Sequence, residues 1–243
     1  MKKFVLNILA GLIITLSQSV LADKSHEDAI KAFSQKVEVV TAMKEFSETF
    51  GQFRADNGLE SVDALKKSVF AFYDKDFADE YKNTGGKAPD LTTAKSIDDD
   101  ATAFQHYYIV KNTAKVGEKN HFIDAKDKSK WNAAHVKHHE LIEKFTHDEN
   151  GFYDLFLIDL SGRIVYSVFK EIDFATRLVD GPYANTGLGA IFKDTKDIAK
   201  GEAKTGENAP YFPSYEDNAQ FIGTPIFDGD NKVGVLVIQL PSW

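Results

Sequence analysis

The spacing of apolar residues changes once along this chain, near residue 150, and this change constrains the fold more than any other feature. Before it, apolar residues recur every three or four positions, as on one face of an α-helix. After it, residues that point to opposite sides of the backbone alternate in two hairpin-like stretches, as in β-strands. Helices followed by strands predict an α+β fold, with a long N-terminal helical region packed on a mostly antiparallel sheet.

Four helices are expected in the first part of the chain. Residues 25–55 carry an apolar stripe at nearly heptad spacing, which predicts one long helix. Its apolar positions are Ile30, Phe33, Val37, Val40, Met43, Phe46, Phe50 and Phe53. A second helix is expected over 61–81, a third after Ser96 as its N-cap, and a fourth over 130–145.

Two hairpins are expected in the second part. The stretch "FYDLFLIDLSGRIVYSVFK" at 152–170 predicts the first, and "QFIGTPIF", "DGDNK" and "VGVLVIQL" predict the strands and turn of the second. A connection at 174–210, rich in Gly, Pro and Asn, contains a short helix near 188–192. We expect the long helix to cover one face of the sheet and this connection to cover the other, because an uncovered apolar face promotes aggregation.

The first 22 residues, "MKKFVLNILAGLIITLSQSVLA", have the three parts of a secretory signal peptide. Lys2 and Lys3 precede an apolar run, and cleavage is expected after Ala22. The alternative is a retained membrane anchor, but the run is short and contains polar breaks. We therefore expect a periplasmic protein with a signal peptide at 1–22, a helical region at 23–150 and a sheet module at 151–243, the last two packed as one unit.

The composition narrows the classes of partner. The chain has no Cys, so disulfides do not stabilise it, and its formal net charge is -8. Removal of the leader takes away two further lysines. An acidic chain with scattered Lys argues against nucleic acid and anionic lipid as partners. No cofactor is expected from any motif.

Three stretches carry a family resemblance. They are "YYIVKNTAKVGEKNHFIDAKDKSKWNAAHVKHHELIEKF", "GFYDLFLIDLSGRIVYSVFKEIDFATRLVDGPYANTGL" and "FIGTPIFDGDNKVGVLVIQLP". Together they resemble the extracytoplasmic sensory domains of bacterial chemoreceptors, sensor kinases and cyclases, which belong to the Cache superfamily and have a PAS-like sheet. The resemblance extends over residues 30–241, and its sharpest parts are "YDLFLID", "VYSVFKEIDFATRL", "GPYANTGL" and "GVLVIQL".

The resemblance implies a sensory module that binds a small molecule and is not an enzyme. Family members usually continue into a membrane helix and an output domain, whereas this sequence ends three residues after Leu240. We therefore expect a stand-alone exported version that works with a membrane receptor or another signalling partner. Family members signal through a helix in the position of residues 25–55, so a homodimer formed through this helix is also expected.

The expected ligand pocket lies between the 174–220 segment and the sheet face opposite the long helix. Loop tyrosines supply an apolar wall and an oriented hydroxyl, which suits small-molecule binding. The candidate ligand-binding residues are Tyr166, Lys170, Asp173, Tyr183, Tyr211 and Tyr215. Lys170 and Asp173 would be charge partners of a zwitterionic or anionic ligand. The alternative is that the aromatic residues only seal the core beneath the loops.

Other motifs are weaker. His135, His138 and His139 have a helical spacing that can present imidazoles to one metal ion, but a structural or surface role is favoured because a clear carboxylate or Cys ligand is lacking. The segment "DGDNK" at 228–232 lacks the rest of a calcium loop and reads better as a hairpin turn. No spacing singles out a catalytic group. A structural or interaction protein that dimerises through its long helix and a His-based metal-binding protein are the alternatives to a ligand-binding protein.

Overall fold

The computed structural model describes residues 24–114 and 118–242. The helices are α1 (24–34), α2 (Val37–Phe50), α3 (Phe53–Asp56), α4 (Asp63–Phe72), α5 (Ala78–Gly85), α6 (Asp99–Gln105), α7 (Lys130–Lys144) and α8 (Gly187–Thr195). The strands are β1 (Asp154–Ile158), β2 (Ile164–Ser167), β3 (Lys204–Thr205), β4 (Ala209–Pro210), β5 (Asn218–Ala219), β6 (Phe221–Asp228) and β7 (Asn231–Gln239). The predicted α+β fold is confirmed. The predicted signal peptide lies outside the described residues, and within them no helix has both the length and the apolar character needed to cross a bilayer.

The main sheet has five antiparallel strands in the order β2-β1-β7-β6-β3. Both expected hairpins are present, as the β1–β2 and β6–β7 pairs. Asp154 of β1 lies opposite Gln239 of β7, and Gln239 lies opposite Phe221 of β6. Residues directly opposite each other on neighbouring strands share a face. These three side chains therefore lie together on one face of the sheet, at the end where β1 begins.

Helices α2 and α7 cover the other face. The sulfur of Met43 in α2 lies 2.5 Å from the place where a Cβ on Gly234 would be, so only glycine allows this close approach to β7. The rings of Phe46 and Tyr166 stack with centroids 4.8 Å apart, which joins α2 to β2. Helix α7 lies against α2, and Phe33 and Phe145 stack at 3.6 Å beyond the ends of these two helices.

The expectation of a single helix over residues 25–55 is wrong. The chain leaves the helix at 35–36, where Lys36 is extended (φ -65°, ψ 137°), and re-enters it at Val37. A second interruption separates α2 from α3. The break at Lys36 shifts the helical phase, so Val37 is 76% exposed and Val39 takes the buried position that the spacing gave to Val37.

Two caps and one irregular turn set the remaining helices. Helix α6 corresponds to the third helix predicted from the sequence. Its N-cap is Asp98 rather than the predicted Ser96, since the Asp98 carboxylate accepts the Ala101 N–H at 2.8 Å. Helix α7 begins after Ser129, close to its predicted start. Between α4 and α5 the chain forms a π-helical turn, Tyr73–Phe77, in which Tyr73 and Phe77 are both buried. The Tyr73 hydroxyl contacts the carbonyl of Ile172, and the Phe77 ring lies against Phe212 and Tyr215.

Helix α8 and the loops on both sides of it cover the second face of the sheet, as expected. The side chain of Thr195 in α8 would lie 2.5 Å from a Cβ on Gly223, so β6 and α8 are in close contact there. At the end of the sheet that begins with Asp154, the cover consists of the loop segments 170–175 and 211–216, the second of which contains the 3-10 turn Phe212–Ser214. The polar groups beneath them form the candidate site.

Candidate ligand-binding site

Three carboxyl groups lie together beneath these loops. We call Asp154, Glu171 and Asp173 the acidic cluster. Asp154 and Asp173 are fully buried, and Glu171 is partly buried. In addition to burial, the charge of Asp173 raises the pKa of Asp154, and the charges of Asp173 and Asp154 raise the pKa of Glu171. A group of buried carboxyls is costly unless each is hydrogen-bonded, protonated or paired with a cation.

Asp154 ties the start of β1 to the end of β2. Its Oδ1 accepts the backbone N–H groups of Leu155 at 2.6 Å, Val168 at 2.9 Å and Phe169 at 3.1 Å. Its Oδ2 is buried and has no hydrogen-bond partner. Burial raises the pKa of Asp154 to about 8, with a further contribution from the charge of Asp173 and opposition from the three N–H donors.

Only one of the two carboxyl oxygens of Asp173 is hydrogen-bonded. Its Oδ2 accepts the Tyr211 hydroxyl at 2.5 Å, whereas Oδ1 is buried without a partner. Burial raises the pKa of Asp173 to about 6, and the Tyr211 hydroxyl together with the backbone N–H groups of Asp173 and Phe174 holds it below the value that burial alone would give. The carboxyl therefore changes its ionisation near neutral pH.

Glu171 belongs to a chain of polar contacts that reaches the sheet. It accepts the Tyr153 hydroxyl at 2.6 Å and the Ser214 hydroxyl at 3.2 Å. Ser214 in turn accepts an N–H of the Gln239 amide at 3.0 Å, and the Oε1 of Gln239 is buried without a partner. Burial and the charge of Asp173 raise the pKa of Glu171.

Lys170 is buried beside the cluster but does not neutralise it. Its ammonium group donates to the carbonyl of Val168 at 3.1 Å and lies 5.3 Å from the ring centroid of Tyr166. Burial lowers its pKa to about 7, although the charges of Asp154 and Glu143 oppose this effect. Within residues 24–114 and 118–242, no ion pair includes Lys170 or a member of the acidic cluster.

The structure brings together five of the six residues that the sequence suggested. Lys170, Asp173, Tyr183, Tyr211 and Tyr215 all lie at this end of the sheet. The Tyr183 hydroxyl is buried without a partner, and burial raises its pKa, with further contributions from Tyr73, Asp173 and Glu171. Tyr215 lies beside Glu171 and lines, together with Lys170, a cavity of about 20 Å³, which is room for about one water molecule.

Tyr166 is placed differently. In β2 it is paired with Leu157, whereas its neighbour Ser167 is paired with Phe156. Ser167 therefore shares the face of Asp154, and Tyr166 points to the helix face. There its ring stacks on Phe46 and its hydroxyl lies 2.7 Å from His139 Nδ1.

Sequence reasoning missed Asp154, Glu171 and Gln239 as members of the site. Two of them carry a readable signal. Asp154 is an acidic residue at the start of the apolar run "LFLI", and Gln239 is a polar residue near the end of "VLVIQL". A charged or amide side chain in a strand buried on both faces needs a polar partner, so both positions point to a polar site at that end of the sheet.

The backbone over the site adopts an uncommon conformation. Lys170, Ala175, Tyr215 and Glu216 have positive φ angles of 54°, 65°, 59° and 67°. Positive φ angles are unfavourable in free energy for residues other than glycine. Such residues concentrate at functional sites, where contacts with the surrounding structure hold the backbone in this conformation. Only one other non-glycine residue in the described ranges, Lys126, has a positive φ.

A groove lies outside the cluster, and Tyr183 is one of its lining residues. The groove has a volume of about 600 Å³, which is within the range of small-molecule sites. Its walls include Tyr81, Phe212 and Pro182, and Asp90 and Glu216 bring negative charge to it. The Tyr81 hydroxyl donates to Glu216 at 3.0 Å, which fixes one side of the groove.

The three candidate metal-binding histidines face different partners. His135 Nδ1 lies 2.7 Å from the carbonyl of Ile123, and His138 Nε2 lies 2.8 Å from Glu45. His139 contacts Tyr166 and the carbonyl of Asn120. Burial lowers the pKa of His135 and of His139, so both rings are neutral at pH 7. Among the described residues, no three His, Cys, Asp or Glu side chains form a group that could hold a metal ion.

Comparison with known proteins gives little. The sequence matches no family model and no curated protein. One solved structure, the sensor domain of the V. cholerae histidine kinase DctB, is similar at a TM-score of 0.33 and 13% sequence identity. The match covers 79% of this chain and 55% of that one, so the chain spans about half the length of the sensor domain. A superposition at this TM-score does not establish a shared fold.

Proposed function

We propose that this chain is an extracytoplasmic sensory protein of the Cache type, which binds a small molecule at the acidic cluster and acts through a membrane receptor or another signalling partner. The observation that carries the proposal is the set of buried oxygen acceptors without donors, on Asp154, Asp173 and Gln239, at one place beneath loops. The resemblance of the three sequence stretches to Cache sensory domains supports the sensory role.

Unpaired acceptors at one place favour a ligand over a purely structural role. Buried polar atoms are hydrogen-bonded in most proteins, and an unmet acceptor costs about 1–3 kcal/mol. A ligand that donates hydrogen bonds would remove this cost, and the adjacent groove would hold the rest of its structure. The aromatic residues over the sheet therefore do more than seal the core.

The position of Asp173 also favours a sensory role. The carbonyls on either side of it, those of Ile172 and Phe174, each accept an N–H of the Gln105 side chain at 2.9 Å. Gln105 belongs to α6 and is also bonded to the Tyr73 hydroxyl. A ligand that moves the 170–175 segment would therefore act directly on the helical part of the molecule.

A thermal-shift screen of the mature chain tests the proposal. The compounds are amino acids, carboxylates, amines and purines, because a ligand that binds only the folded state raises the melting temperature. The Asp173→Asn variant should abolish the shift, and Asp230→Asn, at an exposed turn position, should retain it. If no compound in any of these classes stabilises the protein, or if the shift persists in Asp173→Asn, the acidic cluster is not a ligand site.

An interaction role is the second candidate, and one observation favours it. Val37, at the start of α2, is an apolar side chain that is 76% exposed, and it borders a groove that also contains Val40 and Phe227. We propose that this part of the predicted 25–55 region mediates self-association. Phe33 is buried against Phe145 and is not available to a partner chain.

A further inference from the structure

We propose that the ligand of this site is an organic ammonium ion without a carboxylate group, whose positive charge is held by Asp173 and Asp154. This inference rests on the proposed function, because it names the ligand class of the same site. It replaces the expectation of a zwitterionic or anionic ligand that the pairing of Lys170 with Asp173 suggested.

The site holds more carboxyl groups than cations. Three carboxyl groups lie together, and Lys170 is the one cation among the site residues described above. Its ammonium group is directed to the carbonyl of Val168 and toward the Tyr166 ring, and the charges that act on it are those of Asp154 and Glu143, not of Asp173. A cationic ligand would supply the positively charged partner that Asp173 lacks.

No arginine is placed to receive a ligand carboxylate. The three arginines of the chain contact aspartates elsewhere: Arg54 with Asp99 at 3.3 Å, Arg163 with Asp98 at 2.7 Å and Arg177 with Asp180 at 2.7 Å. Arg163 also donates to the carbonyl of Ala175. Because arginine is the usual bidentate partner of a carboxylate, an anionic or zwitterionic ligand would find no such partner here.

The unpaired atoms match the donors of an ammonium group. Asp173 Oδ1, Asp154 Oδ2 and Gln239 Oε1 have no hydrogen-bond partner, and all three are acceptors once both carboxyl groups are ionised. A primary ammonium group carries three donors and no acceptor. Asp154 and Gln239 are paired across β1 and β7, and Asp173 is close enough to Asp154 to raise its pKa. A bare metal ion is disfavoured, since the described residues contain no group of three ligands arranged for one.

The groove is suited to the rest of such a ligand. Tyr183 lines the groove, and the charges of Asp173 and Glu171 act on its hydroxyl, so this side chain connects the groove with the acidic cluster. The Tyr81 and Phe212 rings give apolar faces that accept an aliphatic chain, an aryl group or a second cation. Asp90 and Glu216 outnumber Lys87 on its lining, so the groove also favours positive charge.

Matched probes test the charge of the ligand. Butylamine, putrescine and phenethylamine are titrated calorimetrically into the mature chain, and 1-butanol, 2-phenylethanol, butyrate, phenylacetate and phenylalanine are the matched compounds without net positive charge. At least one amine should bind, more than tenfold more tightly than its matched alcohol or acid. Its affinity should fall at least tenfold in Asp173→Asn and in Asp154→Asn, with Asp230→Asn unchanged. Circular dichroism tests whether each variant is folded. If one of the two aspartate variants is unfolded, the affinity of the other decides the test.

The pH dependence of amine binding gives an independent readout. A cation favours the ionised carboxylates, so binding at pH 7 should release protons, and the measured enthalpy should depend on the ionisation enthalpy of the buffer. The affinity should rise between pH 5.5 and 7.5, by up to about tenfold per pH unit for each proton released. An affinity that falls over this range overturns the inference.

The outcomes separate this inference from the proposed function. If an alcohol, an acid or an amino acid binds in an Asp173-dependent way more tightly than every amine, the ligand class is wrong and the site stands. If no probe binds, the ammonium inference fails, and the wider thermal-shift screen decides whether the site binds a small molecule at all.

Discussion

The two faces of the sheet treat buried polar groups differently. On the helix face, the Trp131 indole donates to the carbonyl of Val165 at 3.0 Å, and the Tyr166 hydroxyl pairs with His139, which also contacts the carbonyl of Asn120. At the loop-covered end, Asp154 and Asp173 each keep one oxygen without a partner. The helices of the other face leave a histidine nitrogen and a serine hydroxyl unpaired, His135 Nε2 and Ser47 Oγ, whereas the loop-covered end leaves oxygens of two carboxyl groups unpaired.

The difference follows from what covers each face. Helices α2 and α7 satisfy their own backbone groups and bring large side chains to the sheet, so the polar atoms between them can be few. The loops over the acidic cluster hold several residues at positive φ and leave buried acceptors. Local rules of stability are broken at functional sites more often than elsewhere. We therefore expect stability to depend mainly on the helix face, and binding on the loop-covered end.

The largest effect is expected on the helix face. Phe46 is fully buried and its ring lies 4.8 Å from Tyr166 and 5.2 Å from Trp131. Phe46→Ala should lower the free energy of unfolding by about 3–5 kcal/mol, because it removes aromatic contacts and leaves a cavity. Urea unfolding measures this, with Val37→Ala as the control at an exposed position of the same helix. A loss below about 1 kcal/mol would mean that the helix face is not the main source of stability.

The second effect concerns ionisation at the loop-covered end. The pKa of Asp173 is about 6 in the folded protein and 3.8 is its ordinary value, so between these pH values the folded state binds more protons than the unfolded state. Stability due to this group is therefore lost as the pH rises from about 4 to 6, by roughly 3 kcal/mol for a shift of this size. Lys170, with a pKa of about 7, acts in the opposite direction, but only above that pH.

Urea unfolding of the wild type and Asp173→Asn between pH 4 and 7 isolates this contribution. The variant lacks the titrating carboxyl, so it should gain stability relative to the wild type as the pH rises. The Asp230→Asn control should follow the wild type at every pH. Parallel curves for the wild type and Asp173→Asn would show that Asp173 does not ionise in this range.

What the sequence predicted correctly depends on local spacing. The α+β class, both hairpins and the helix at Lys130–Lys144 follow from apolar periodicity and turn residues within short stretches. The break at Lys36 was not predictable in this way, because tertiary packing selects Val39 over Val37 for burial. The site is similarly non-local. Asp154 and Gln239 meet only through the register of β1 on β7, and that register also sends Tyr166 to the helix face.

The two faces can be compared by removing one tyrosine hydroxyl from each. Tyr166→Phe removes the contact with His139 Nδ1 and leaves that buried nitrogen without a donor, so it should cost about 1 kcal/mol. Tyr183→Phe removes a buried hydroxyl that has no partner, so its cost should be near zero or the variant should be more stable. Urea unfolding at pH 7 measures both variants. Equal losses would show that Tyr183 has a structural partner and that the loop-covered end has no unused hydrogen-bonding capacity at this atom.

The smallest effect on stability is expected at Val37, where the proposed self-association is tested. Val37→Glu should change the free energy of unfolding by less than about 0.5 kcal/mol, since the side chain is exposed and a carboxylate in the first turn of α2 interacts favourably with the helix dipole. If this surface joins two chains, buried charge should separate them, and sedimentation velocity should show a dimer for the wild type and a monomer for the variant. Val179→Glu, at another exposed apolar position, is the matched control and should keep the wild-type behaviour. Phe33→Glu cannot replace this test, because Phe33 is buried and its change should unfold the protein. Identical sedimentation of the wild type and Val37→Glu at every concentration would reject the interface.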